Sequence, residues 1–369
     1  MRKLELLAPA GSMACLKAAV SKGADAVYLG MKNFNARNYA TNFDKNNLAE
    51  AVRICKSNNV KIYLTMNTLV KNNELKQFFD QLSFAYSMGI DAVILQEISL
   101  IDIIKNNFPD LRIHISTQAG VMNSFHANLL LKADRITLAR ELTENNIKDI
   151  RKNFNKELEI FCHGALCTSV SGQCIFSSFL GGRSGNRGKC AQPCRKKYNN
   201  KYLLSTKELC LINEIPEIIK LRINSIKIEG RMRSPYYVAT VTETYRKAMD
   251  SYYNGNFKVE NLAKLKKAFS REFTKGWFKQ SKDIFNVIES NAATKTSKEF
   301  YNVKVKKINI KRKFVNVKIP NFKEEKSDKE LLVRVYNKKD AIDACNSGAD
   351  IVCLDLKDFE NIKLPCKLF

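Results

Sequence analysis

An α/β protein built on a TIM-barrel-like (β/α)8 domain is the fold class the sequence predicts, and three observations lead there. Up to about residue 254, short apolar runs alternate with amphipathic stretches of helical length, the pattern of consecutive βα units. Eight such runs fall within about 250 residues, the usual size of a barrel, whereas a doubly wound open sheet gives no reason to stop at eight. Several of the runs end in polar residues, as strands do when their C-terminal ends converge on one catalytic face.

Taken in order, the predicted strands are LELLAP (4–9), DAVYLG (25–30), KIYLTMN (61–67), DAVILQ (91–96), RIHISTQ (112–118), RITLAR (135–140), ELEIFCHG (157–164) and SIKIEG (225–230). Their polar ends single out Asn67, Gln96, Thr117, Gln118, Arg140, His163, Glu229 and Arg231. Each of these, alone, reads equally as a loop hydrogen-bonder or a helix cap. The barrel domain spans 1–254 and carries a Cys-rich loop at 162–198 after its seventh strand. From 255 to 328 the pattern changes, and NVKVKKINIKRKFVNVKIPNF (302–322) alternates apolar and basic residues as half-exposed strands of a small β-rich domain do. Its Lys-rich faces suit an RNA path, or else the solvated edge that keeps strands from aggregating.

Residues 329–369 read as a short βαβ extension. LLVRVYNKKDAIDACNSGADIVCLDL (331–356) aligns without gaps with LLAPAGSMACLKAAVSKGADAVYLGM (6–31), and SMGIDAVIL (87–95) is a third version. With thirteen residues left, this unit packs on the barrel, pairs with a partner subunit that completes it, or begins the extra region of a longer form.

The net charge of +25 favours polyanionic partners, RNA first among them, although Lys, Asn and Ile are abundant everywhere, as A/T-rich codon usage alone produces. No window holds the roughly 18 consecutive apolar residues of a membrane span, and MRKLELLAPAGS has no long apolar core of a signal peptide. An odd count of eleven cysteines, with Cys15, Cys55, Cys210, Cys345, Cys353 and Cys366 scattered, argues against a secreted disulfide framework. The expectation is a cytoplasmic protein with no membrane attachment, whose six scattered cysteines are ordinary buried thiols.

The other five cysteines are clustered. Cys162, Cys167, Cys174, Cys190 and Cys194 follow the spacing C-x4-C-x6-C-x15-C-x3-C, among small and polar residues that let a loop fold around one centre. Iron-sulfur clusters take four Cys thiolates, whereas structural zinc prefers two close pairs, and only Cys190 and Cys194 are close. Spacing therefore favours an iron-sulfur cluster, with zinc as runner-up. Arg183, Arg187, Lys189 and Arg195 would offset the thiolate charge and help bind an anion, or simply solvate the loop. No HExxH or GxSxG motif occurs, and the three histidines are His114, His126 and His163. His163 and Cys162 are adjacent in a strand and so point to opposite faces.

LLAPAGS (6–12), GADAVYLG (23–30), FNAR (34–37), HGALC-x6-C with NRGKCAQPCR (163–195), KIEGRMRSPYYV (227–238) and FSREFTKGWF (269–278) together resemble the collagenase-like peptidase family U32. The match keeps the family's order over about 280 residues. The resemblance implies a barrel carrying a 4Fe-4S cluster. From the better understood relatives it implies oxygen-independent hydroxylation of a tRNA uridine, an rRNA cytidine or the ubiquinone ring, with prephenate as oxygen donor. It assigns Cys167, Cys174, Cys190 and Cys194 as ligands. The fourth position varies among relatives, so Cys210 or Cys162 stands as a substitute for Cys194. Glu272 where relatives place a small residue, and the lack of glycines after 285, are departures that bear on the substrate.

The expected function is thus iron-sulfur-dependent hydroxylation of a tRNA or rRNA base, the basic charge favouring RNA over a quinone. The alternatives are a collagenase-like peptidase, for which no nucleophile and base are visible, and a cluster-bearing partner of another subunit. In the first, Arg37, Arg140 and Arg231 would bind a carboxylate donor such as prephenate, because a planar guanidinium grips carboxylate with two hydrogen bonds. Asn67 and Gln118 would hold substrate. Glu229, with Arg231 and His163, is the candidate for proton transfer, or else Glu229 is the salt-bridge partner of Arg231.

Overall fold

In a computed structural model that describes residues 3–260, 262–269, 271–285, 301–319, 330–335 and 338–354, the chain divides into two compact units, Met1–Lys318 and Ile319–Phe369. The strands of the first are β1 (Glu5–Pro9), β2 (Ala26–Gly30), β3 (Lys61–Met66), β4 (Ala92–Leu95), β5 (Arg112–Ile115), β6 (Arg135–Thr137), β7 (Glu157–Ala165), β8 (Glu208–Cys210), β9 (Ser225–Ile228) and β10 (Phe273–Thr274). Between them lie α1 (Met13–Ser21), α2 (Lys45–Ser57), α3 (Leu75–Ser87), α4 (Ile101–Asn107), α5 (Ser124–Leu129), α6 (Glu144–Asn153), α7 (Phe176–Gly181), α8 (Ile215–Lys220), α9 (Pro235–Tyr253) and α10 (Leu262–Ala268). Strands β1 to β7 pair in order and in parallel, β7 pairs with β9, and β9 returns to β1. The eight predicted strands therefore close a TIM-type barrel. The short β8 lies outside the ring, antiparallel to the end of β7, and β10 extends it in parallel.

The internal echo has a structural cause. Gly23 and Gly89 end α1 and α3 with φ of 85° and 92°, a left-handed turn that glycine makes without strain. Two residues later Asp25 Oδ2 accepts the Leu6 N–H, and Asp91 Oδ2 the Ile62 N–H, both at 2.8 Å. Each Gly-x-Asp thus stops a helix and pins the incoming strand to the register of its neighbour. Asp134 does the same for Ile113 at 2.8 Å.

Polar side chains fill much of the barrel interior. Arg135, only 1% exposed, places Nη1 2.6 Å from Glu5 and 3.2 Å from Glu159, and Nη2 2.8 Å from Glu157. Glu159 also receives the Lys227 ammonium at 3.1 Å and the hydroxyls of Thr137 and Ser225 at 2.9 Å. Glu5 receives Lys61 at 2.9 Å and the Tyr63 hydroxyl at 3.0 Å. Leu7, Ala26, Tyr28, Tyr63, Ala92 and Ile94 form an apolar cluster beside this network.

Beyond the ring, α10 packs against α9 and β10 joins the sheet. Residues 302–322 were expected to form strands; those described as far as 318 form none and lie against α2 and α3. There Asn58 Nδ2 donates to Lys304 O at 2.8 Å, Ser57 Oγ accepts the Lys306 N–H at 2.7 Å, and Arg312 lies over Tyr86 at 4.6 Å. Helix-end groups take up the main-chain hydrogen bonds that a neighbouring strand would otherwise supply. The expected β-rich domain at 255–328 thus shows α10 and the two-residue β10 in its described first part, and its stretches 286–300 and 320–328 lie outside the described residues.

The second unit contains β11 (Leu332–Val335), α11 (Lys338–Asn346) and β12 (Ile351–Leu354), with the strands paired in parallel. Asp350 Oδ2 accepts the Leu331 N–H at 2.7 Å, so the tail repeats the register pin of the barrel. Residues 355–369 of this extension lie outside the described residues. Cys345 is disulfide-bonded rather than an ordinary thiol, whereas Cys15 and Cys55 are buried and free. Among the described residues, no helix is long and apolar enough to cross a membrane.

Two measurements test the barrel network. Arg135→Met would leave Glu5 and Glu159 short of a partner and should cost about 3–5 kcal/mol in denaturant unfolding. Burial pushes the Glu5 carboxyl up, but Arg135 and Lys61 outweigh it and bring it down from 4.5 to about 2. A carboxyl depressed in the folded state contributes stability above its unfolded value that is lost as pH falls through the folded one. Stability should therefore decline between pH 4.5 and 2, and Glu5→Gln should flatten that decline. An unchanged slope would mean that acid breaks the fold elsewhere.

Candidate functional site at the barrel mouth

The loop after β2 carries the FNAR motif, and Asn35 organises it. Its Oδ1 accepts the Arg37 N–H at 2.9 Å and Arg231 Nη2 at 2.8 Å, while Asn67 Oδ1 accepts the Ala36 N–H at 3.0 Å. Arg37 is thereby turned toward the end of β9, where its Nη2 lies 3.0 Å and its Nε 3.2 Å from Glu229 Oε1. The salt-bridge partner of Glu229 is Arg37, not Arg231. Burial raises the Glu229 carboxyl, but Arg37 and Arg233 outweigh it and hold it below the usual range, so it is ionised at neutral pH.

Arg231 lies beneath this pair, 4% exposed, donating to Thr65 Oγ1 at 2.9 Å and to Asn35. Burial, relieved by no bonded carboxylate, draws its pKa down to about 10. Gln118 Nε2 donates to the Asn67 carbonyl at 2.9 Å, and Arg140 Nε to Ser171 Oγ at 3.2 Å, with Ser171 donating to Glu141 at 3.0 Å. Ser171 belongs to the Cys-rich segment, so this bond ties the segment to the end of β6.

Between β7 and β8 the Cys-rich segment folds over the mouth. Gly188 has φ 74°, and a Cβ there would stand 2.2 Å from Asn35 O, so glycine lets this loop lie directly on the FNAR loop. The segment closes a cavity of about 360 Å3. Its wall brings together Cys167, Cys174, Cys190 and Cys194 with Arg37, Gln118, Arg140 and Glu229. Of the other predicted site residues, Asn67 and Arg231 lie behind the wall and position it. His163 does not reach it. The His163 ring packs among Tyr237, Tyr245 and Phe273, with Nδ1 3.5 Å from the Tyr245 hydroxyl, and burial beside Arg233 lowers its pKa to about 3. Cys162 and Cys210 do not line the cavity either; Cys162 Sγ faces Lys227 O at 3.5 Å.

Sequence reasoning missed Arg233 and Arg271, which line the cavity around Glu208. Arg233 follows the highlighted Arg231 by two, but Glu208 and Arg271 belong to strands of two or three residues and their flanks, too short for periodicity to register. A second missed signal was readable: from Glu159 to Glu208 no acidic residue intervenes, while eight Lys and Arg do. The segment also exposes Ile175, Phe179 and Leu180, and Arg183 lies 4.9 Å over the Tyr39 ring at the cavity edge.

Burial, with the neighbouring Cys167, Cys190 and Cys174, pushes the Cys194 thiol up to about 11 against the pull of Arg195. Gln192 N–H points at Cys190 Sγ, 3.3 Å away. Among the described residues, no three or more His, Cys, Asp and Glu side chains are grouped so as to hold a single metal ion. In metal-free protein at pH 8, the exposed Cys190 should be alkylated well before Cys194. Equal labelling rates in peptide mass spectrometry would contradict the burial and mutual repulsion described here.

The family model described as peptidase family U32 matches residues 11–286. An uncharacterized protease of Methanocaldococcus jannaschii is 41% identical over 79% of this chain and 78% of its own length. The tRNA hydroxylation protein P1 of Bacillus subtilis is 33% identical over 81% of this chain and 76% of its own length. The 23S rRNA 5-hydroxycytidine C2501 synthase of Escherichia coli is 36% identical over 68% of this chain and 40% of its own length. With the family model matched over three quarters of the chain and relatives this similar over most of it, the chain belongs to peptidase family U32.

Proposed function

We propose that this enzyme hydroxylates a base of tRNA or rRNA without molecular oxygen, using a 4Fe-4S cluster held by Cys167, Cys174, Cys190 and Cys194. The observation that carries this reading is the cavity itself, where four thiols face the strand-end residues Arg37, Gln118, Arg140 and Glu229. Tetrahedral zinc with Zn–S bonds of about 2.3 Å needs its sulfurs about 3.8 Å apart. Four cysteines lining one cavity are the thiolate set that iron-sulfur clusters take. When bound, the cluster supplies one-electron chemistry.

The chain's own residues do the rest. Arg37, fixed by Glu229, and Arg140, fixed by Ser171, present guanidinium edges to a carboxylate donor of the prephenate class. Glu229, already ionised, is a proton acceptor at the same wall. Asn67 and Arg231 keep the Arg37 loop in place, and His163 takes no part. The RNA substrate is supported by the names of the tRNA- and rRNA-modifying relatives. The acid-free, aromatic-bearing segment over the cavity and the net charge of +25 add to it.

The protease name of one relative raises a second reading. No histidine lines the cavity, so its thiols have no Cys-His pair of the kind a cysteine peptidase uses. Anaerobic purification followed by iron, sulfide and zinc assays on the wild type and Cys167→Ala tests the cluster; matched iron and sulfide, lost in the variant, is the expected result. Deleting the gene should then remove one hydroxylated nucleoside from tRNA or rRNA digests. An unchanged nucleoside profile would overturn the substrate, and zinc alone would overturn the cluster.

A further inference from the structure

One wall of the cavity is built from residues to which the hydroxylase reading gives no work: Arg195, Arg233 and Arg271. All three gather around the carboxylate of Glu208, which is 1% exposed. Arg233 Nη2 lies 3.2 and 3.3 Å from its two oxygens and Arg271 Nη1 lies 3.0 Å from Oε1. Arg195 spends its donors on Ser205 Oγ at 3.1 Å, on Leu166 O at 2.9 Å and on Thr206 O. Two guanidiniums thus pair with one carboxylate while the third is held by neutral oxygens, so this wall of the cavity carries more positive than negative charge.

A second observation is independent of charge counting. The Arg271 side chain is 9% exposed, yet its Nε–H has no hydrogen-bond partner among the described residues. Buried donors are paired with few exceptions, and a buried cation with an unused donor is an unusual arrangement to retain. The group is also held rigid. Arg233 lies flat on the Phe269 ring at 3.5 Å, and Arg271 lies 5.5 Å from the same ring on another side. Rigid donors lose little freedom when a ligand arrives.

We propose that Arg195, Arg233 and Arg271 form a binding site for an oxyanion, carboxylate or phosphate, within the thiol-lined cavity whose wall they share. The site deepens the hydroxylase reading by giving an anionic group of the donor or of the RNA a place, and rests on that reading only for the anion's biological source. A structural ion pair between Arg271 and Glu208 would need no anion, and that difference is measurable.

The test is calorimetric titration of the full chain with malonate, with inorganic phosphate and with a short RNA oligonucleotide. Wild type should bind malonate or phosphate saturably, Arg271→Gln should weaken binding by about tenfold or more, and the exposed control Arg53→Gln should leave it unchanged. Malonate binding that the oligonucleotide leaves intact marks a small carboxylate, and phosphate binding that it displaces marks an RNA phosphate. Arg271→Gln also breaks the Glu208 pair and can unfold the protein, so Glu208→Gln is the second variant. Removing the competing carboxylate should tighten anion binding, which a purely structural pair does not do. No saturable binding in wild type, or equal binding by wild type and a folded Arg271→Gln, would overturn the site. Iron content and nucleoside profile are read separately, so a failed cluster or RNA reading leaves this result standing or falling by itself.

Discussion

The carboxylate of Glu159, enclosed by the barrel, is the interaction on which the rest of the molecule depends. It is held by groups from β6, from β9 and from its own strand's neighbours, and through Arg135 it is linked to Glu5 on β1. Those are the strands on either side of the closing seam, where β9 joins β7 to β1. Taking such charges out of water costs several kcal/mol per ion unless every lone pair is met. A strand slipped by one residue would turn these side chains outward and leave partners unmet inside. The network therefore penalises every register but one, a task that an all-aliphatic interior performs less strictly.

The mouth is a second tier on the same frame. Lys227 lies over Tyr28 at 4.6 Å, Tyr28 donates to Ile228 O at 2.7 Å, and the next residues are Glu229 and Arg231. The cavity pair Arg37 and Glu229 is thus supported from below by Arg231, Thr65 and Asn35, none of which meets the cavity. Residues that position and residues that contact are separate layers here, and apart from Thr65 both come from the short KIEGR and FNAR stretches.

The barrel was legible because its strands are compact aliphatic runs, many of them bounded by Gly or Asp, and the Gly-x-Asp echo marked two of its turns and one in the tail. The charged interior is present in the same runs, as Glu157 and Glu159 two apart and Lys227 between isoleucines, but a polar residue inside a short aliphatic run reads equally as part of a solvated face. His163 misled because a polar residue at a strand end can face outward as easily as inward; the aromatic partners on α9 that claim it lie some seventy or more residues away in sequence. Arg195, Arg233 and Arg271 assemble around Glu208 only once β8 and β10 pair. The basic alternation of 302–322 has the period of a strand, and nothing local reveals that its described part packs on helices instead of pairing in a sheet. The thiol set was visible from spacing and resemblance, whereas its enclosure by Ser171 and Gly188 is a tertiary matter.

The ladder between His163 and Cys210 and between Ala165 and Glu208 clamps both ends of the segment 166–207 side by side. An excursion anchored in this way has its end-to-end distance set by the clamp, and the entropy of closing it grows only with the logarithm of its length. Residues can be added or removed between the clamp and the cavity at little cost to the barrel beneath. Diversification within such a lineage therefore has an inexpensive axis: the scaffold stays constant while the canopy lengthens, shortens or changes charge to suit a differently shaped polymer.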